Sequence, residues 1–144
     1  MLHITLVNIV MVALAVIIHY EFLFRISSKL PELKIIHRYR MVIGVYLALC
    51  AHALEVWIFA FAYYFMHHAD GWGYLEGNFT GALMDCVYFS FAVYTTLGFG
   101  DIQAHGPLRF LTGFEALTGL VLIAWTASYL YFELQRPWKP EDAK

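Results

Sequence analysis

The sequence predicts an all-helical integral membrane protein with three spanning helices and one shorter helix that enters the membrane layer without crossing it. Three observations carry this. Hydrophobic residues make up 61% of the chain and charged residues 14%, against roughly 25% charged in an ordinary globular protein. The charges are segregated, with no Lys or Arg from Met41 to Leu108. Three apolar runs reach the ~20 residues that a membrane helix needs: about Leu2 to Phe24, Met41 to Met66 and Pro107 to Phe132.

The first run has no basic residues at its start and no small-x-small cleavage site before Arg25, so it reads as a retained span and not a signal peptide. It carries no repeated Arg, which excludes an Arg-rich voltage sensor. A basic connector follows, with Arg25, Lys29, Lys34, Arg38 and Arg40, broken at Pro31. Between the second and third runs lies a shorter apolar stretch, Ala82 to Tyr94. It is too short to span, and such a segment must be buried in protein rather than lipid.

Lys and Arg asymmetry sets the orientation. The connector and the tail (Arg136, Lys139, Lys144) are basic, whereas His67 to Asp101 holds Asp70, Glu76, Asp85 and Asp101 and no basic residue. The connector and C-terminus are therefore expected in the cytoplasm, and the N-terminus outside, in a multi-pass protein of the plasma (cell inner) membrane. Arg109 is the exception, at the outer start of the third run. Tyr63, Tyr64, Trp72, Tyr74, Tyr131 and Trp138 are expected at the two interfaces. Cys50 and Cys86 lack metal or disulfide spacing and read as buried free thiols. The chain has no basic patch for nucleic acid and no enzyme motif such as H-E-x-x-H or G-x-S-x-G.

The short apolar stretch runs directly into Thr95-Thr96-Leu97-Gly98-Phe99-Gly100-Asp101. Here the chain resembles the potassium channel pore-loop family, whose pattern is T-x-G-[YF]-G-[DN] after a pore helix flanked by two spans. The match resembles that of small prokaryotic-type channels, with one extra N-terminal helix. A row of carbonyls can replace an ion's water only if successive carbonyls face one side. That requires alternate residues to leave the β region, and Gly98 and Gly100 do so without Cβ strain. The resemblance implies K+ coordination by Thr96, Leu97, Gly98 and Phe99, with Gly100 completing the filter and support from Thr95, Asp101, Tyr88 and Phe89. The only cofactor it implies is K+ itself. One filter per chain implies a homotetramer, with membrane lipids as the other partners.

Three positions matter within the family pattern. Leu97 replaces the commoner Val or Ile, Phe99 replaces the commoner Tyr, and Ala92 stands where some members carry Glu. Phe99 lacks the hydroxyl that ties Tyr to pore-helix aromatics, so the filter is expected to rest on packing and to inactivate readily.

The chain then divides into residues 1–40 (first span and connector), 41–136 (outer helix, pore helix, filter and inner helix) and 137–144 (a short tail with no soluble regulatory domain). In the inner helix, Gly119 is the candidate gating hinge, with close helix packing as the alternative. If it faces the pore, Leu120, Ile123, Ala127 and Tyr131 follow along the conduction path. His52 and Glu55, at i and i+3, share one face of the second span, and Glu115 lies at a similar depth in the third. The three are expected to form one buried polar cluster behind the pore helix, as helix-joining hydrogen bonds or as a pH sensor. His67, His68 and Asp70 offer a weaker metal pattern. A potassium-selective channel is the leading functional reading. The alternatives are a non-selective cation channel and a non-conducting subunit of a cation transport assembly.

Overall fold

A computed structural model describes residues 2–32 and 36–135. Lys34 and the tail from Arg136 onward, including Pro137, Trp138, Lys139, Pro140 and Lys144, lie outside the described residues.

The element order is α1 (Leu2–Lys29), a 3-10 turn (Leu30–Glu32), α2 (His37–His68), β1 (Tyr74–Gly77), α3 (Leu83–Tyr94), β2 (Ile102–His105) and α4 (Leu108–Gln135). Among the described residues, three helices are long and apolar enough to cross a membrane. Each outruns its predicted apolar run by about a turn at one or both ends. At 1.5 Å per residue the 28 residues of α4 reach about 42 Å, beyond the ~30 Å hydrocarbon layer.

The short helix α3 forms the centre. Its buried residues Cys86, Val87, Phe89, Ser90, Val93 and Tyr94 meet α2 on one side and α4 on the other. Val56, Phe59, Ala60 and Tyr63 of α2 and Leu108, Leu111 and Leu122 of α4 complete this core. The first helix is not peripheral. Ile4, Asn8, Ala15, His19, Leu23 and Ile26 are buried, spaced three, four or seven residues apart, which is one stripe of a helix, and that stripe packs on α2 and α4.

Outside the helical layer the structure adds two short strands. β1 and β2 pair antiparallel, with Gly77 opposite Ile102 and Tyr74 opposite His105. This ribbon joins the loop before α3 to the segment after Asp101. Four-residue strands beside Gly-rich loops carry too little periodicity to be legible in an otherwise helical sequence.

Two smaller expectations are corrected. Cys50 is exposed on α2, whereas Cys86 is buried. Tyr63 is fully buried, not interfacial. Its position near the end of a span suggested an interfacial belt, but its hydroxyl turns inward to Glu115.

Candidate functional site

The site begins where α3 ends. Thr95 caps the helix, its backbone N–H bonding to Phe91 O at 3.1 Å and its hydroxyl to the same oxygen at 2.7 Å. The next turns are tied back as well: Thr96 N–H to Val93 O at 2.9 Å and Gly98 N–H to Ala92 O at 3.1 Å. From there φ is positive at every second residue: Thr96 at 58°, Gly98 at 52° and Gly100 at 80°. Glycine takes this conformation freely. Thr96 does not, and is the only non-glycine residue among those described with positive φ. Such a strained residue persists only where its surroundings hold it.

All of Thr95 to Asp101 is exposed in the single chain. Leu97 is 60% and Phe99 63% exposed, although both are large and apolar. The segment is anchored at its far end by the ribbon, where Asn78 N–H donates to Asp101 O at 2.8 Å. Tyr88 of α3 donates its hydroxyl to Asp101 Oδ2 at 2.9 Å, and its ring lies parallel to that of Phe99 with centroids 6.3 Å apart. A polar tie to α3 therefore exists despite Phe99, through a tyrosine on the helix instead of one in the segment. Phe89 turns the other way, edge-on to Tyr63 at 5.0 Å, so it supports α3 and does not touch the segment. At the start of α3, the Thr80 hydroxyl and N–H both bond to Asp85 Oδ2. These bonds hold the Asp85 carboxyl below its usual pKa. A lowered carboxylate pKa adds stability at neutral pH and loses it only in acid.

Behind α3 the expected single polar cluster is two. Glu115 of α4 is fully buried and accepts from Tyr63 and Ser90, both at 2.5 Å. It does not reach His52 or Glu55. Helical depth alone placed it with them, but its carboxylate meets α3 at Ser90, one turn before Tyr94.

Glu55, also fully buried, lies at the C-terminal end of α3. Its carboxylate meets His19 Nδ1 at 2.9 Å, His52 Nδ1 at 3.2 Å and the Tyr94 hydroxyl. His52 Nδ1 also lies 2.9 Å from the Tyr94 hydroxyl. On the far side of both rings, Thr126 Oγ1 is 3.1 Å from His52 Nε2 and 3.2 Å from His19 Nε2. All four helices thus contribute to one centre, next to Thr95. His19 was missed in the sequence. Its signal was an ionisable residue inside an apolar span, which by itself marks an inward-facing functional candidate.

Gly119 is buried against the end of α3. A Cβ there would lie 2.1 Å from Tyr94 O, so glycine is what lets α4 approach. Leu120, Ile123, Ala127 and Tyr131 are all exposed on the single chain. His67 and His68 are engaged locally and do not converge with Asp70: His67 Nδ1 accepts from Leu75 N–H at 3.1 Å, and His68 Nδ1 bonds to Tyr64 O at 2.7 Å.

A family model described as "Ion channel", the two-span, potassium channel-type family, matches residues 51–135. That range runs from the middle of α2 to the end of α4 and contains α3 and the Thr95–Asp101 segment. No curated protein and no solved structure matches the chain.

Proposed function

The chain belongs to this ion channel family, and from that premise we propose that it is a potassium-selective subunit conducting K+ through a filter formed by four copies. The family and the three apolar helices support a multi-pass membrane protein that transports ions. The finer reading rests on one observation: positive φ recurs at Thr96, Gly98 and Gly100, the alternation by which consecutive carbonyls can face one side. K+ is the substrate, bound by the carbonyls of Thr96, Leu97, Gly98 and Phe99 and by the Thr96 hydroxyl, with Gly100 completing the filter.

A carbonyl cage needs several strands around each ion, and one chain supplies one. Cyclic four-fold assembly provides the rest. The exposed apolar side chains of Met84, Phe91, Leu97, Phe99, Phe114 and Leu117 favour further copies packing around the segment. The C-terminal end of α3 directs its partial negative charge toward the segment, which favours a cation there. Asp101, anchored by Tyr88 and the ribbon, adds negative charge at the outer end. Leu120, Ile123, Ala127 and Tyr131 would line the path below, with Gly119 as the hinge. The acidic 67–101 region faces outside and the basic connector faces the cytoplasm.

The test is ion flux from purified protein in liposomes, comparing K+ with Na+ and adding Ba2+ as a blocker. K+ flux that exceeds Na+ flux and is blocked by Ba2+ is expected. Equal K+ and Na+ flux would overturn the selectivity.

A further inference from the structure

We propose that His19, His52, Glu55 and Tyr94 form an intramembrane site for one divalent transition metal ion of zinc type, separate from the K+ path. The reading does not depend on potassium selectivity. It rests on the convergence of four donor atoms in a place where unpaired charge is expensive.

The spacing fits first. Ligand atoms of His19, His52 and Glu55 all lie within 4.8 Å of one another. The Tyr94 hydroxyl and the Glu55 carboxylate make the closest pair, followed by 2.9 Å (His19 Nδ1 to Glu55), 2.9 Å (His52 Nδ1 to Tyr94 hydroxyl) and 3.2 Å (His52 Nδ1 to Glu55). Zinc–nitrogen and zinc–oxygen bonds of about 2.0–2.2 Å in a tetrahedron put neighbouring ligand atoms about 3.3–3.5 Å apart. The histidine pairs quoted would lengthen by about 0.1–0.6 Å, and the close Tyr94–Glu55 contact would open further, as the hydrogen-bonded cluster becomes a coordination shell. Nitrogen and oxygen donors suit zinc, nickel and copper, and do not suit calcium or magnesium, which prefer oxygen.

Thr126 supplies the second reason. A metal-ligating histidine donates its other ring N–H to an oxygen, which fixes tautomer and orientation. Thr126 Oγ1 lies within hydrogen-bonding distance of Nε2 of both histidines. A hydroxyl oxygen has two acceptor lone pairs, enough for both N–H groups. In that state both Nδ1 lone pairs face the Glu55 carboxylate. Lone pairs so placed repel one another unless a proton or a metal ion joins them.

Charge supplies the third. The Glu55 carboxylate and a Tyr94 phenolate bring two negative charges and the two neutral imidazoles none, so a Zn2+ held by all four leaves the site uncharged, with the Tyr94 phenol proton leaving as the ion enters. An apolar cavity of ≈ 400 Å³ borders the site, with His52, Tyr94, Thr95 and Thr126 in its wall.

The test uses the purified, metal-stripped full chain in lipid nanodiscs, titrated with ZnCl2 by calorimetry at neutral pH in buffers of different ionisation enthalpy. One Zn2+ per chain is expected, with proton release greater in the parent than in Tyr94→Phe by about one proton. His19→Gln and Glu55→Gln should abolish binding, and Thr126→Val should weaken it about 10–100-fold. The double variant His67→Ala/His68→Ala should bind as the parent does. Uptake equal in the parent and in His19→Gln would overturn the site. Should His19→Gln not fold, Co2+ bound to the parent decides: intense tetrahedral d–d absorption supports the site, and weak octahedral absorption or none overturns it.

Discussion

Two buried carboxylates stand behind the same short helix, and their surroundings differ in kind. Glu115 is held by two hydroxyls, Tyr63 from α2 and Ser90 from α3. Glu55 is held by two imidazoles and a hydroxyl, drawn from α1, α2 and α3. Hydroxyl groups can donate to a carboxylate and stop there, so the Glu115 centre fixes distances between three helices and little else. Imidazoles carry exchangeable protons and lone pairs, so the Glu55 centre joins the helices and can also change its occupancy. The first is a fastener at the middle of α3. The second adjoins Tyr94, the residue before Thr95, and brings the extra N-terminal helix into contact with the end of α3.

The largest effect should come from breaking the fastener. Glu115→Leu removes the acceptor for Tyr63 in a fully buried site. Ser90 has an alternative acceptor in Val56 O at 2.9 Å, but the Tyr63 hydroxyl would lose the carboxylate it donates to and keep only the Thr112 side chain beside it. An unsatisfied buried group costs about 1–3 kcal/mol, and the misfit of Leu in a packed core adds to that. Glu115→Gln, whose amide can keep both hydroxyls partnered, should stay much closer to the parent. Thermal unfolding of the purified protein, followed by intrinsic fluorescence, measures both. Equal losses for Leu and Gln would mean that charge, and not hydrogen bonding, is what Glu115 supplies.

This contrast was only half legible in the sequence. Hydropathy located the spans, because an apolar run of ~20 residues has few alternatives. The filter-like segment was legible because its chemistry depends on local residue types, above all Gly98 and Gly100. The helix pairing was not legible. An apolar span offers no polar face to show which side is buried, so His19 did not announce that it faces Glu55. Depth along a helix put Glu115 beside His52 and Glu55, but depth carries no information about azimuth, and α4 turns Glu115 toward Ser90 instead. Tyr88 and Phe89 looked like equal supports for the segment. Adjacent residues on a helix point about 100° apart, so only Tyr88 reaches it.

A middle-sized effect should follow from loading one centre and sparing the other. In Gly119→Ala the added Cβ meets Tyr94 O at 2.1 Å, and both partners there are backbone or ring, with no flexible tip to swing away. Overpacking of this kind costs about 1–3 kcal/mol, offset in part because Ala is the better helix former by about 1 kcal/mol. The strain falls on Tyr94 and hence on the Glu55 centre, one turn from Glu115. A lower unfolding temperature is expected, together with weaker zinc binding. If stability is unchanged and only channel opening is altered, Gly119 acts as a hinge alone, without the packing role the contact with Tyr94 gives it.

The smallest effect on stability belongs to the polar link on the exposed side of α3, where Tyr88 reaches Asp101. Tyr88 is 42% exposed, so water can replace the lost partner in Tyr88→Phe, and the fold should hold. Function should be more sensitive than stability, because this bond anchors the segment that carries Phe99 in place of a tyrosine. In single-channel records Tyr88→Phe should inactivate faster than the parent. Phe99→Tyr, which restores a hydroxyl beside the parallel Tyr88 ring, should inactivate more slowly. Opposite shifts would show that hydrogen bonding limits the life of the open segment. Unchanged inactivation in both would mean that the segment is held by the ribbon and by apolar packing between copies, with the hydroxyls incidental.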